Sequence, residues 1–178
     1  MSGKNSSKGP AELLRAAGVL KTIRRKGWLK VGIGNPESVA DHSFRMALIG
    51  AYLSQEMKLD AGKIIRMCLI HDLAESEIGD LTPEEKISEE AHRKDEDRIL
   101  REIFATLPEK ERKVFDQDWT ELYEMRTNEA KLVWQIDKLE MGLTMKDYLR
   151  EGGNKKKLAE FDPSSNLTSE LRTIIQEY

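Results

Sequence analysis

Ile64-Ile65-Arg66-Met67-Cys68-Leu69-Ile70-His71-Asp72-Leu73-Ala74-Glu75 is the stretch whose reading decides the fold. Its apolar residues recur every three or four positions, the spacing that lines one face of an α-helix. Ile64, Met67, Cys68 and His71 share that face, with Glu75 one turn past His71, and Asp72 follows Ile65, Cys68 and Leu69 on the neighbouring line. Asp60 stands where an N-cap belongs, so the pattern predicts a helix over about 61–75. Cys68 reads as a small core residue. His71 and Asp72 read as polar groups on an inward stripe, where burial is costly unless they are paired or bound to metal.

Outward from this segment the same periodicity continues. Helices are predicted over about 11–26, ended by Gly27, and over about 37–57, with a two-glycine loop (Val31 to Pro36) between them. Further helices are predicted over about 88–107, 108–125 and 128–150, the last ended by Gly152-Gly153. Residues 154–166 read as loop and 168–178 as a short closing helix. Alternating strand patterns are absent, so the expected fold class is all-α, a single-domain helical bundle. The chain of 178 residues suits one domain, with 1–10 expected as a disordered tail and 11–178 as the domain.

Composition excludes several function classes. Hydrophobic residues make up 39% and charged residues 34%, a globular mix, and no stretch is apolar enough to span a bilayer. The formal net charge of −3 offers no global basic field for a nucleic-acid polymer, so any phosphate-binding group must be local. Cys68 is the sole cysteine, which precludes an intrachain disulfide and suits a reducing cytoplasm. The Ser/Gly/Lys-rich opening residues carry no apolar signal core.

Two more helices place polar groups on apolar stripes. Val39, His42, Met46, Ile49 and Leu53 recur at helical spacing, as do Val133, Trp134, Asp137 and Met141. Two histidines and two aspartates, from three helices, therefore point toward one core. Such a set suits a divalent ion such as Mn, Fe, Co, Zn or Mg, and helix bundles commonly build metal sites this way. A buried salt-bridge network is the competing reading of the same four residues.

In its spaced motifs the chain resembles the HD-domain metal-dependent phosphohydrolases, and more closely their 5′-deoxynucleotidase branch. The carrying segments are Arg25-Lys26-Gly27-Trp28, Asn35-Pro36-Glu37-Ser38-Val39-Ala40-Asp41-His42, His71-Asp72-Leu73-Ala74-Glu75 with Ile78-Gly79-Asp80, and Gln135-Ile136-Asp137-Lys138-Leu139-Glu140. The resemblance implies His42, His71, Asp72 and Asp137 as ligands of one divalent ion. It implies Glu75 and Asp80 as catalytic carboxylates and Arg25 and Trp28 as substrate contacts. It also implies a deoxyribonucleoside 5′-monophosphate substrate and a homodimer. The family often has arginine directly before tryptophan. Here Lys26-Gly27 intervenes, which leaves Arg24 and Arg25 as alternatives for the phosphate.

Departures from related patterns narrow the chemistry. Guanosine-tetraphosphate hydrolases of this class carry His-Asp-x-x-Glu-Asp, whereas Ser76 stands at the second acid here. Binuclear phosphodiesterases need further histidines before the last aspartate, and His92, in a charged stretch read as solvated and without a role, is the only one available. The expected reaction is hydrolysis of (deoxy)nucleoside 5′-monophosphates. Glu75 orients or deprotonates water and Asp80 protonates the leaving oxygen, or the two roles are reversed. The alternatives are another phosphate ester, such as a nucleoside triphosphate or a phosphodiester, and a non-catalytic metal-binding helical module.

Overall fold

The computed structural model describes residues 9–178 and contains α1 (Ala11–Leu20), α2 (Lys26–Lys30), α3 (Val39–Met57), α4 (Ala61–Ile70), α5 (Glu75–Ile78), α6 (Glu89–Ala105), α7 (Glu109–Tyr123), α8 (Asn128–Arg150), α9 (Lys155–Leu158) and α10 (Ser169–Glu177). Among the described residues there is no strand, only an isolated antiparallel bridge between Arg24 and Ser38. The tail expected over 1–10 lies, up to residue 8, outside the described residues. Gly9 donates its N–H to the Thr106 carbonyl at 2.9 Å. No helix of the described residues is long and apolar enough to cross a membrane.

Side chains that satisfy free N–H groups set the helix starts. Ser38 and Asp41 form a reciprocal capping box at α3, Asp60 accepts from Lys63 N–H at α4, and Thr127 accepts from Ala130 N–H at α8. α3, α4 and α8 bury Met46, Ile64, Met67, Cys68, Ile136 and Leu139 completely against one another. A second core, under α1, α6 and α7, gathers Leu20, Val39, Leu73, Leu100, Phe104 and Trp119. Trp28, Val31, Met145, Tyr148 and Leu158 form a third, smaller one.

Gly50 lets α3 and α4 approach closely. A Cβ there would lie 2.7 Å from Ile64 Cγ2 and 3.5 Å from Ile136 Cδ1. Gly50→Ala is therefore expected to destabilise by about 1–3 kcal/mol, the usual cost of overpacking, read as a lowered urea midpoint with an unchanged slope.

Two predicted helices break where the structure needs a turn. α1 stops at Leu20 rather than near residue 26, because the following backbone groups are taken by residues 37–39: Val39 N–H donates to Ile23 carbonyl at 3.0 Å and Arg25 N–H to Glu37 carbonyl at 3.1 Å. α4 ends at Ile70, and the predicted run to residue 75 is interrupted by a tight turn in which Leu73, Glu75 and Ser76 N–H groups bond three residues back. The turn buries Leu73 and Ala74 in the second core and re-aims His71, Asp72 and Glu75. The predicted loop 154–166 holds α9 and two 3₁₀ turns, Ala159–Phe161 and Ser164–Asn166.

Candidate metal centre

His42 comes from α3, His71 and Asp72 from the turn after α4, and Asp137 from α8. His42, His71 and Asp72 each present a donor atom within 4.8 Å of the others. Asp137 joins this group through His42, its Oδ1 lying 3.4 Å from His42 Nε2, while its other oxygen meets Lys138 Nζ at 2.9 Å. Asp72 Oδ2 lies 3.0 Å from His71 Nε2 and 3.9 Å from His42 Nε2.

The imidazoles are oriented from behind. His71 Nδ1 lies 2.8 Å from the Cys68 carbonyl, so it carries a proton and donates it. His42 Nδ1 contacts the carboxylate of the fully buried Glu140. Both Nε2 atoms are buried and hydrogen-bond to nothing. Two imidazole nitrogens thus face two carboxylates with no hydrogen bond between them, an arrangement that a shared cation relieves.

Electrostatics around the cluster are strong. Burial and Arg25 oppose a proton on His42, but Glu140 and Asp137 outweigh them and lift it to about 9. Burial opposes the charge on Asp72, yet His71, Arg25 and His42 together hold its carboxyl well below the usual range. Burial likewise opposes the charge on Asp137, which His42, Lys138 and His71 hold low. Glu75, 8% exposed and with its Oε2 unpartnered, behaves oppositely: burial first, then Asp72, push it up to about 10.

Of the two candidate arginines, Arg25 reaches the cluster, its guanidinium 3.0 Å from Asp72 Oδ2, whereas Arg24 donates to the Pro36 carbonyl. Asp80 accepts from the Lys26 backbone N–H. Trp28 is only 2% exposed, with Phe161 at 4.3 Å and Tyr148 at 5.3 Å between ring centroids, and its N–H donates to Glu37 at 3.0 Å. It still shares the wall of a cavity of about 220 Å³ with Arg25, Asp80 and Met141.

The sequence reading assigned no role to Glu140, Glu37 or Arg45, which surround the rear of His42. A signal for Glu140 was present: it lies four residues after Ile136 and three before Leu143, on a buried stripe of α8. Trp134, placed by periodicity on the inward face, is instead 40% exposed. It lines a cavity of about 320 Å³ with His71, Asp137, Arg93, Glu96 and Tyr123. His92, expected on a solvated face, is largely covered and sits 3.0 Å from Glu96.

Burial, then Asp72, raise Glu96 from 4.5 to about 7. A carboxyl raised on folding binds its proton more tightly in the folded state. Its stabilising contribution is therefore complete below about 4.5 and lost as pH rises through about 7. In metal-free protein, Glu96→Gln is expected to flatten the fall in stability over that window by about one proton per molecule, read from urea unfolding at several pH values. An unchanged slope would refute the assignment.

The chain is similar to known proteins over most of its length. The model of the family described as HD domain matches residues 17–178. A protein of Dictyostelium discoideum named 5′-deoxynucleotidase HDDC2 is 40% identical over 165 residues, covering 86% of this chain and 86% of that one. The Mus musculus protein of the same name is 35% identical over 148 residues, covering 83% and 74%. The solved structure of a conserved hypothetical protein from Pyrococcus furiosus superposes with a TM-score of 0.77 at 34% identity, covering 94% of this chain and 97% of that one.

Proposed function

The chain belongs to the HD domain family, and on that premise we propose that it is a metal-dependent phosphomonoesterase that hydrolyses (deoxy)nucleoside 5′-monophosphates to nucleoside and phosphate. The observation that carries the reading is the pair of buried, unpartnered Nε2 atoms of His42 and His71, facing Asp72 and Asp137 beside the unpaired carboxyl of Glu75. The relatives named 5′-deoxynucleotidases support the substrate class.

His42, His71, Asp72 and Asp137 would hold the ion, and this donor set suits Mn, Co, Fe, Zn or Mg. When bound, a divalent ion neutralises phosphoryl charge and acidifies water. Arg25, pre-aimed at Asp72 and locked by burial, binds the phosphate through its planar fork. The positive charge of a bound ion would favour the ionised form of Glu75, which then orients the attacking water and takes its proton. Asp80, on the loop after α5, gives a proton to the leaving sugar oxygen. Trp28, packed against Phe161 and Tyr148, lines one cavity with Arg25 and Asp80 and contacts the nucleoside there.

The remaining assignments follow the same premise. The substrate is a free nucleotide rather than a polymer or a membrane component, consistent with the net charge of −3. The working compartment is the cytoplasm. A homodimer is supported by Phe44, Leu48 and Tyr52, three large exposed side chains spaced along one line of α3.

The test is a panel of purified protein, stripped and reloaded with Mn, Co, Fe, Zn or Mg in turn, against deoxy- and ribonucleoside mono-, di- and triphosphates. Monophosphates are expected to turn over fastest, with phosphate and nucleoside as products. Faster turnover of di- or triphosphates, or inertness toward every ester, overturns the proposal.

A further inference from the structure

Behind His42 lies a set of groups that the proposed reaction does not use. Glu140 is 0% exposed, and its two oxygens face different partners. Oε2 contacts His42 Nδ1, while Oε1 receives a hydrogen bond from Arg45 Nε at 2.8 Å and another from Thr144 Oγ1 at 2.9 Å. Arg45 is itself fixed, donating to Asp147 Oδ2 at 2.7 Å and to Thr144. Asp147 is held in turn by Arg150 at 3.1 Å and by the hydroxyl of Tyr178 at 2.8 Å.

An arginine can only donate, so the atom facing Arg45 Nε must accept. A carboxylate accepts at both oxygens, and its second oxygen therefore demands a donor from His42. That donor is Nδ1–H, which leaves the Nε2 lone pair directed at Asp137 and Asp72. We infer that Glu140, charged and oriented by Arg45 and Thr144, is a positioning residue that keeps the His42 proton on Nδ1 and so reserves Nε2 for a divalent ion. The same contacts fill the rear of the ring, where Glu37, His42 and Glu140 form a second close group of donor atoms. Arg45 supplies the positive charge there, which directs an external cation to the Nε2 side. This inference rests on the metal-centre reading proposed above.

The consequence is specific. In Glu140→Gln the side chain has one acceptor and one donor end. Arg45 only donates and requires the carbonyl oxygen on its side, whereas the Thr144 hydroxyl can donate or accept, so Arg45 makes the amide NH₂ face His42 Nδ1. The imidazole must then accept at Nδ1 and carry its proton on Nε2, where it blocks a metal. Removing the donor with Arg45→Met frees the amide to turn over and return Nδ1 to its donor role.

The probe is Co²⁺ alone, titrated into metal-free protein and followed by its visible absorption, alongside the ring ¹⁵N shifts of His42 in the metal-free protein with the ring neutral. Wild type is expected to carry the proton on Nδ1. Glu140→Gln is expected to move it to Nε2 and weaken Co²⁺ binding by about 10–100-fold or more. The double variant Glu140→Gln with Arg45→Met is expected to move the proton back and bind more tightly than Glu140→Gln alone, an order that a merely structural role does not produce. Equal Co²⁺ affinity in wild type and Glu140→Gln, or an unchanged proton position, overturns the inference. Should Glu140→Gln fail to fold, Glu140→Asp keeps the charge but withdraws it by one methylene. It is expected to weaken Co²⁺ binding with the proton still on Nδ1, and unchanged affinity overturns the inference. A wild type that binds no divalent ion sinks the metal centre, while the ¹⁵N shifts still decide the proton position.

Discussion

Asp72→Ala is expected to lower kcat/KM for a nucleoside monophosphate by at least about 10³-fold. The carboxylate sits between Arg25 NH1 and His71 Nε2, each 3.0 Å from Oδ2, with His42 Nε2 3.9 Å away. Among the described residues, no other group lies within 4 Å of both imidazoles and the arginine. A bound ion contributes several kcal/mol to stabilising the transition state, and each ~1.4 kcal/mol is a factor of about ten in rate. Losing a charged ligand forfeits most of that. The same substitution leaves the Arg25 guanidinium desolvated without its counter-charge. Breaking a buried pair costs about 3–5 kcal/mol, and the lower end applies because the two side chains retain 17% and 18% exposure. Asp72 contributes stability that is present above pH 3.8 and lost as its carboxyl is protonated on acidification. Steady-state kinetics, metal content of the purified protein and urea unfolding in chelator read the three effects. Retained metal with retained turnover would remove Asp72 from the centre.

Glu75→Gln is expected to lose about 10²–10⁴-fold in kcat, the usual contribution of a positioned acid or base, while metal content and fold persist. The Glu75 Oε2 is buried and has no hydrogen-bond partner that the substitution would strand. In the metal-free protein burial and Asp72 hold its carboxyl up to about 10, so its contribution to stability is complete below about 4.5 and lost as pH rises through about 10. Gln cannot ionise, and the variant is expected to be the more stable one at alkaline pH. The division of labour with Asp80 is read with p-nitrophenyl phosphate, whose leaving oxygen needs no proton. Asp80→Asn is expected to recover most of its turnover on that ester, and Glu75→Gln is not. The opposite pattern exchanges the two roles, and loss of metal from Glu75→Gln would make Glu75 a ligand instead.

Much of the fold was legible because burial acts through spacing. The stripe Ile64, Met67, Cys68 demanded a helix with a covered face, and all three residues are fully buried. The cap Asp60 carries its own hydrogen-bonding logic and stands at the observed start of α4. Periodicity erred where long-range contacts outcompeted local helix bonds. Residues 23–25 gave their backbone groups to residues 37–39, and the chain at His71 tightened to bury Leu73 and Ala74. Both breaks matter, since one brings Arg25 to Asp72 and the other turns His71, Asp72 and Glu75 toward the cluster.

By itself the sequence determined that His42 and Asp137 stand on helices with apolar faces and that His71 and Asp72 follow directly on a third such stripe, because residue type and the 3.6-residue period decide which side chains leave water. Only the tertiary structure decided which atoms face which. Glu140 stands behind His42 across 98 residues of chain, and Arg45 reaches Glu140 across 95. Such pairings depend on how α3 and α8 are set against each other, and a one-dimensional pattern holds no record of that setting. For the same reason the sequence could not say what packs on Trp28, which Phe161 and Tyr148 flank in the third core.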